Sequence, residues 1–180
     1  MMKQLLIGTS LLCTAVAMLA QHKPPASPKA TETATIGGTT ITIDYCSPRV
    51  RGREGHIFTK DGLISHDKTY PVWRAGANAA TALHTSGDIS IGGLNVPAGS
   101  YTLFVDISDP AQWTLVVSKD TGEWGLNYDK TKDLGRVKMK MAKPPALVED
   151  LKYTIAAHGK HGTLTLAWEN VSASVPIKVH

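Results

Sequence analysis

From residue 40 onward, apolar and polar positions alternate with a period of two. Ile41, Ile43 and Tyr45 stand on one side of their run, with Thr40, Thr42 and Asp44 on the other. Tyr101, Leu103, Val105 and Ile107 interleave with Thr102, Phe104 and Asp106, and Leu115 and Val117 with Thr114, Val116 and Ser118. Val137, Met139 and Met141 alternate with Arg136, Lys138 and Lys140. Leu164, Leu166 and Trp168 do so with Thr163, Thr165 and Ala167, and Val175, Ile177 and Val179 close the chain. Successive side chains of an extended chain point to opposite faces, so this pattern predicts half-buried strands. No comparable window carries an apolar stripe at helical spacing.

The punctuation between these runs fits hairpins. Ile36-Gly37-Gly38-Thr39 and Ile91-Gly92-Gly93-Leu94 place Gly pairs between apolar residues, the chemistry of two-residue β-turns. Pro97-Ala98-Gly99-Ser100 and Ser108-Asp109-Pro110 are turn clusters ahead of strands, and His158 to Gly162 reads as a further hairpin loop. Eight or nine short strands at this spacing predict an all-β fold: a single antiparallel β-sandwich, jelly-roll-like, spanning residues 35–180. Two stretches interrupt the alternation. Gly52 to Asn78 is a long irregular loop, of the kind that folds as a lid, with Trp73 as its expected anchor. A shorter irregular stretch, Asp120 to Gly135, carries Trp124 and Tyr128.

The N-terminus is of a different kind. Lys3 precedes an uncharged apolar run from Leu5 to Ala20, broken by Gln21-His22-Lys23-Pro24-Pro25. This predicts a secretory signal peptide over residues 1–20, and with it an exported protein, periplasmic or secreted. Residues 21–34, rich in Pro, Thr, Ala and Lys, read as a flexible leader. No other long apolar run exists, so no transmembrane segment is expected. Removal of residues 1–20 takes Cys13 with it and leaves Cys46 alone, which excludes an internal disulfide and favours a buried thiol.

Composition narrows the classes further. The chain has 180 residues, 42% hydrophobic and 19% charged, which suits one globular domain with its own core. Its 19 Lys and Arg against 15 Asp and Glu give a formal charge of +4, too mild for a nucleic-acid partner to be expected.

Several strings together resemble a bacterial exported family, domain-of-unknown-function family 2911. They are Tyr45-Cys46-Ser47-Pro48, Arg51-Gly52-Arg53, Ile57-Phe58, Val72-Trp73-Arg74-Ala75-Gly76-Ala77-Asn78 and Pro97-Ala98-Gly99-Ser100-Tyr101. Trp124-Gly125, Asp133, Arg136-Val137 and Trp168-Glu169 complete the set, and the string from Val72 to Asn78 is its most specific part. The resemblance runs from about Ala34 onward and implies an all-β exported domain with no assigned activity. The chain departs from the family pattern at Ala79, where many relatives place Glu, and in the length of the segment from Glu54 to Tyr70.

Candidate chemistry is sparse. There is no Gly-x-Ser-x-Gly elbow, no His-Glu-x-x-His and no phosphate-binding Gly-rich loop, so no catalytic residue is assigned and no cofactor implied. His158 and His161 belong to a hairpin loop, and His56, His66 and His84 with Asp67 match metal ligands in type but not in spacing, so no metal site is assigned. Arg74 and Asn78 form the most interesting polar pair: an anion or sugar clamp, or a brace tying down the long loop through backbone carbonyls. Trp124 and Tyr128 are loop aromatics, which either stack on a sugar ring or plug the end of the sandwich. Arg49, Arg51 and Arg53, and likewise Arg136, Lys138 and Lys140, read as solvated strand faces or as a surface for an anionic polymer. The leading expectation is a non-catalytic exported module binding a small molecule, glycan or cell-envelope component through Arg74, Asn78, Trp124 and Tyr128. The alternatives are a hydrolase or isomerase on the same scaffold, using Arg74, His84 and Cys46, and a structural envelope protein.

Overall fold

The structure, a computed structural model, describes residues 25–180 apart from residue 123. The expected signal peptide and the first residues of the leader lie outside the described residues. Two antiparallel sheets pack face to face, as the alternation predicts. The larger has the order β1 (Lys29–Ile36), β2 (Thr39–Cys46), β4 (Thr81–Thr85), β7 (Gly99–Asp106), β8 (Thr114–Ser118) and β9 (Asp133–Lys138), with β3 (Val72–Trp73) also paired to β7. The smaller runs β11 (Val148–His158), β12 (His161–Glu169), β13 (Val171–Val179), β5 (Ile89–Ile91) and β6 (Leu94–Val96), with β10 (Lys140–Ala142) paired to β13.

Inward-facing residues of both sheets form one core. Ile41, Ile43, Leu83, Leu103, Val105, Leu115 and Val117 come from the larger sheet, and Leu151, Leu164, Leu166, Val175 and Ile177 from the smaller. Both Gly-Gly pairs form hairpin turns with positive φ at each glycine: 53° and 87° at Gly37 and Gly38, 55° and 93° at Gly92 and Gly93. That is the two-residue turn whose twist matches the flanking strands, and glycine adopts it without strain.

The leader ends earlier than the sequence suggested. Lys29–Ala34 makes up most of β1, paired along its whole length with β2. Its alternation is of Thr with Ala and Glu, so it carries no apolar face to betray it. It is held instead by the backbone ladder and by side-chain pairs such as Thr33 with Thr42, 3.1 Å apart. Glu32 also accepts a hydrogen bond from the Ile155 backbone N–H at 2.8 Å, and the Tyr45 hydroxyl accepts one from the Tyr153 N–H at 3.3 Å. These side chains cover the outer edge of β11, which would otherwise present unpaired donors.

The long loop folds over one end of the sandwich. Ile57, Ile64 and Trp73 are buried, and a short 3-10 turn spans Ile64–His66. Trp73 stacks on Trp168 with ring centres 5.9 Å apart, and Phe58 meets Trp73, Trp113 and Trp168 at 5.6, 4.8 and 5.6 Å. Such edge-on and offset aromatic contacts add to the burial of the rings themselves. The expected anchor is therefore in place.

Candidate functional site

The string from Val72 to Asn78 builds a tight turn fixed from three directions. The Trp73 indole N–H donates to the Gly76 carbonyl at 3.1 Å. The Ala75 carbonyl accepts from the Tyr153 hydroxyl at 2.8 Å and the Thr81 hydroxyl at 3.1 Å. The Ala77 N–H donates to the Cys46 carbonyl at 3.1 Å. Burial pushes the Tyr153 phenol well above its usual range, so it remains a donor. Ala75 and Asn78 adopt left-handed φ values of 55° and 59°, which Asn tolerates and Ala does not favour. A Cβ at Gly76 would come within 3.1 Å of both the Cys46 carbonyl and the Thr81 hydroxyl, so a larger residue there fits only if those neighbours shift by a few tenths of an ångström.

This turn leads directly into Ala79 and Ala80, which line a groove of about 480 Å³ on the outer face of the larger sheet. Along that face the strands present small residues. Ala82 from β4 and Thr102 from β7 line it, with Ala79 and Ala80, just after the turn, at one side and Thr121 and Gly122 at the other. The polar floor comes from three strands. His84, on β4, lies directly opposite Ser100 on β7, and its Nδ1 is 2.8 Å from the Ser100 hydroxyl. Its Nε2 faces the Asp44 carboxylate of β2 at 3.8 Å, and Asp44 also accepts from the Thr31 hydroxyl of β1. His84 and Asp44 are each about half exposed, at 49% and 48%.

The predicted site residues divide around this groove. The Trp124 side chain is 56% exposed, so it does not plug the sandwich. Its backbone pairs with Ala79, and both Ala79 and Gly122 line the groove. The next residue, Gly125, donates its N–H to the Asn78 carbonyl at 3.2 Å, and a Cβ there would lie 2.2 Å from the Arg74 Cδ. Arg74, Asn78 and Trp124 thus meet at the joint between the two irregular segments, and none of the three lines the groove itself. Arg74 acts as a brace, through a carboxylate and not the expected carbonyls: its Nη2 lies 3.3 Å from Asp67, with both side chains 16% exposed. Burial raises the Asp67 carboxyl above its usual range, and the Arg74 charge opposes that rise.

Tyr128 lies elsewhere. Its ring packs edge-on against Phe104 at 5.1 Å, and its hydroxyl donates to Asp133 at 2.9 Å. Arg136 then spans Asp133 at 2.9 Å, Asp106 at 3.0 Å and the Tyr128 hydroxyl. Burial and the Asp133 hydrogen bond push the Tyr128 phenol up to about 12. Burial alone would raise the Asp106 carboxyl, but hydrogen bonds from Ser108 and Arg136 outweigh it and hold it below its usual value. Arg136 is therefore engaged within the fold, and so are Arg49, paired with Asp150 at 2.8 Å, and Arg53, which donates to the Val50 carbonyl at 2.9 Å.

Cys46 is buried and unpaired in the wall of the groove. Among the described residues, no three of His, Cys, Asp and Glu are grouped to hold a metal ion, so His56, His66, His84 and Asp67 do not converge. No described helix is long and apolar enough to cross a membrane. Sequence reasoning singled out His84 as a metal candidate and, with Arg74 and Cys46, as a catalytic candidate of the alternative reading, but passed over Asp44 and Ser100. These lie on three different strands, so no local spacing signals their meeting.

Comparison with curated proteins returned no match, and neither did comparison with solved structures. Residues 27–177, which take in both sheets, the turn and the groove, match the family described as Protein of unknown function (DUF2911), and the chain belongs to that family.

Proposed function

We propose that this protein is an exported binding module that holds a glycan in the groove on the outer face of its larger sheet. The observation that carries the reading is the groove itself, with the exposed Trp124 joined to its rim through the backbone pairing with Ala79. Small walls at Ala79, Ala80 and Ala82 admit a sugar ring against the backbone. Asp44, His84 and Ser100 offer acceptors and donors for its hydroxyls, and Trp124 offers an apolar face. Concave sites of this kind combine a few convergent polar groups with an aromatic anchor. Export is part of the proposal and rests on the apolar run from Leu5 to Ala20 behind Lys3.

Titration of the purified protein with soluble cello-, chito- and β-1,3-gluco-oligosaccharides, followed by tryptophan fluorescence, tests it. One class is expected to give a saturable change. Trp124→Ala is expected to weaken binding by about tenfold or more, the scale for loss of an aromatic anchor. Absence of binding by every class, or unchanged affinity in Trp124→Ala, would remove the reading.

A further inference from the structure

We infer that Ser100, His84 and Asp44 form a nucleophile, base and orienting acid that cleaves short-chain acyl esters in the groove. The inference rests on the groove being the ligand site, and adds chemistry to it. Three features carry it. Ser100 and His84 are cross-strand partners, so the sheet ladder fixes their side chains on one face, and the His84 Nδ1 is 2.8 Å from the Ser100 hydroxyl. The opposite ring nitrogen faces Asp44 at 3.8 Å, longer than a hydrogen bond but close enough for the carboxylate to stabilise the imidazolium that forms when His84 takes the serine proton. Asp44 is itself positioned by Thr31, and all four side chains line one groove.

The chemistry balances on these groups. The Ser100 Oγ attacks the acyl carbon while its proton passes to the His84 Nδ1. The bond from the acyl carbon to the alkoxy oxygen then breaks, and the His84 proton goes to that oxygen to release the alcohol. Water next attacks the acyl carbon and gives a proton to the His84 Nδ1. The acyl bond to Ser100 breaks, and the serine oxygen recovers the proton. The net reaction is ester plus water to carboxylic acid plus alcohol. Thr102 lies two residues along the same strand face and lines the same groove. The small-walled groove suits a short acyl group, such as an acetyl ester carried on a sugar.

The test treats the purified protein with a biotinylated fluorophosphonate and maps the adduct by peptide mass spectrometry. In parallel it follows hydrolysis of p-nitrophenyl acetate. The expected adduct lies on Ser100 and falls by about a hundredfold in His84→Gln, the scale of a lost general base. Ester hydrolysis is expected to fall likewise in Ser100→Ala and by a smaller factor in Asp44→Asn. All three positions are partly or fully exposed, and thermal melting confirms that the variants fold. A protein with no adduct on Ser100 overturns the inference. So does hydrolysis that survives in Ser100→Ala but vanishes in His84→Gln, which is an imidazole acting alone. Oligosaccharide binding by a protein that forms no adduct leaves the binding reading standing and removes only the esterase.

Discussion

The two irregular segments meet at one joint yet are held by opposite means. The segment from residue 52 to 78 buries Ile57, Ile64 and Trp73 and ties its last turn to both sheets, through Cys46 and Thr81 on one and Tyr153 on the other. Among the described residues of 119–132, only Gly125 is buried. That segment is held by the edge of the Tyr128 ring and by a polar network with Asp133 and Arg136, while Trp124 faces outward. The first is an apolar plug that the core cannot lose. The second is a strap whose removal costs the core little, and it carries an exposed aromatic side chain whose backbone pairs with the groove residue Ala79. Two loops of similar irregularity in sequence thus do different work.

The largest expected effect sharpens this contrast. Trp73→Ala should lower stability by about 3–5 kcal/mol in chemical denaturation, because it empties the centre of the aromatic cluster. A loss below about 1 kcal/mol would mean that the long loop is not the plug described. Gly125→Ala attacks the joint, where the new methyl would lie 2.2 Å from the Arg74 Cδ and 2.7 Å from the Asn78 carbonyl. Overpacking of this kind costs about 1–3 kcal/mol. The weaker strap should be the part that lifts, so limited proteolysis should cut within 119–132 before 52–78. Early cleavage in the longer segment would reverse the comparison.

A smaller effect is confined to alkaline solution. The Tyr128 phenol titrates at about 12 in the fold, against about 10 in an unfolded chain. The native state therefore holds this proton more tightly. Its contribution is fully present below pH 10 and is lost as pH rises through about 12. Tyr128→Phe should lack that part of the alkaline decline in melting temperature, and an identical pH profile would show that the strap does not rely on the phenol. Trp124→Ala should change stability least, within about 0.5 kcal/mol, since the side chain packs on little. A larger loss would make Trp124 a structural residue like Trp73.

How far this was legible in the sequence follows from what sets each feature. Strands with one buried face announce themselves, since Leu164, Leu166 and Trp168 must share a side. Trp73 was legible as an anchor because a large ring in a polar loop has few stable places to go. The strand Lys29–Ile36 was not, since its Thr, Ala and Glu residues satisfy the backbone ladder without an apolar face. The groove was not legible either. Asp44, His84 and Ser100 are brought together by the order β2-β4-β7, and strand order is a property of the folded sheet. For Arg74 both readings were available, and the choice of brace depended on Asp67, seven residues away, being buried beside it.

The pinned turn at Ala75 makes the groove a gauge of the whole sandwich. Its carbonyl is gripped at once by Thr81 from one sheet and Tyr153 from the other, and the chain passes from there directly to Ala79 and Ala80 at the groove's rim. Any sliding of one sheet over the other must move that carbonyl's two donors apart. The rim therefore keeps its shape only while the sheets keep their offset. Repacking core side chains that lie outside the groove's lining is accordingly a way to retune the width of a surface groove from beneath.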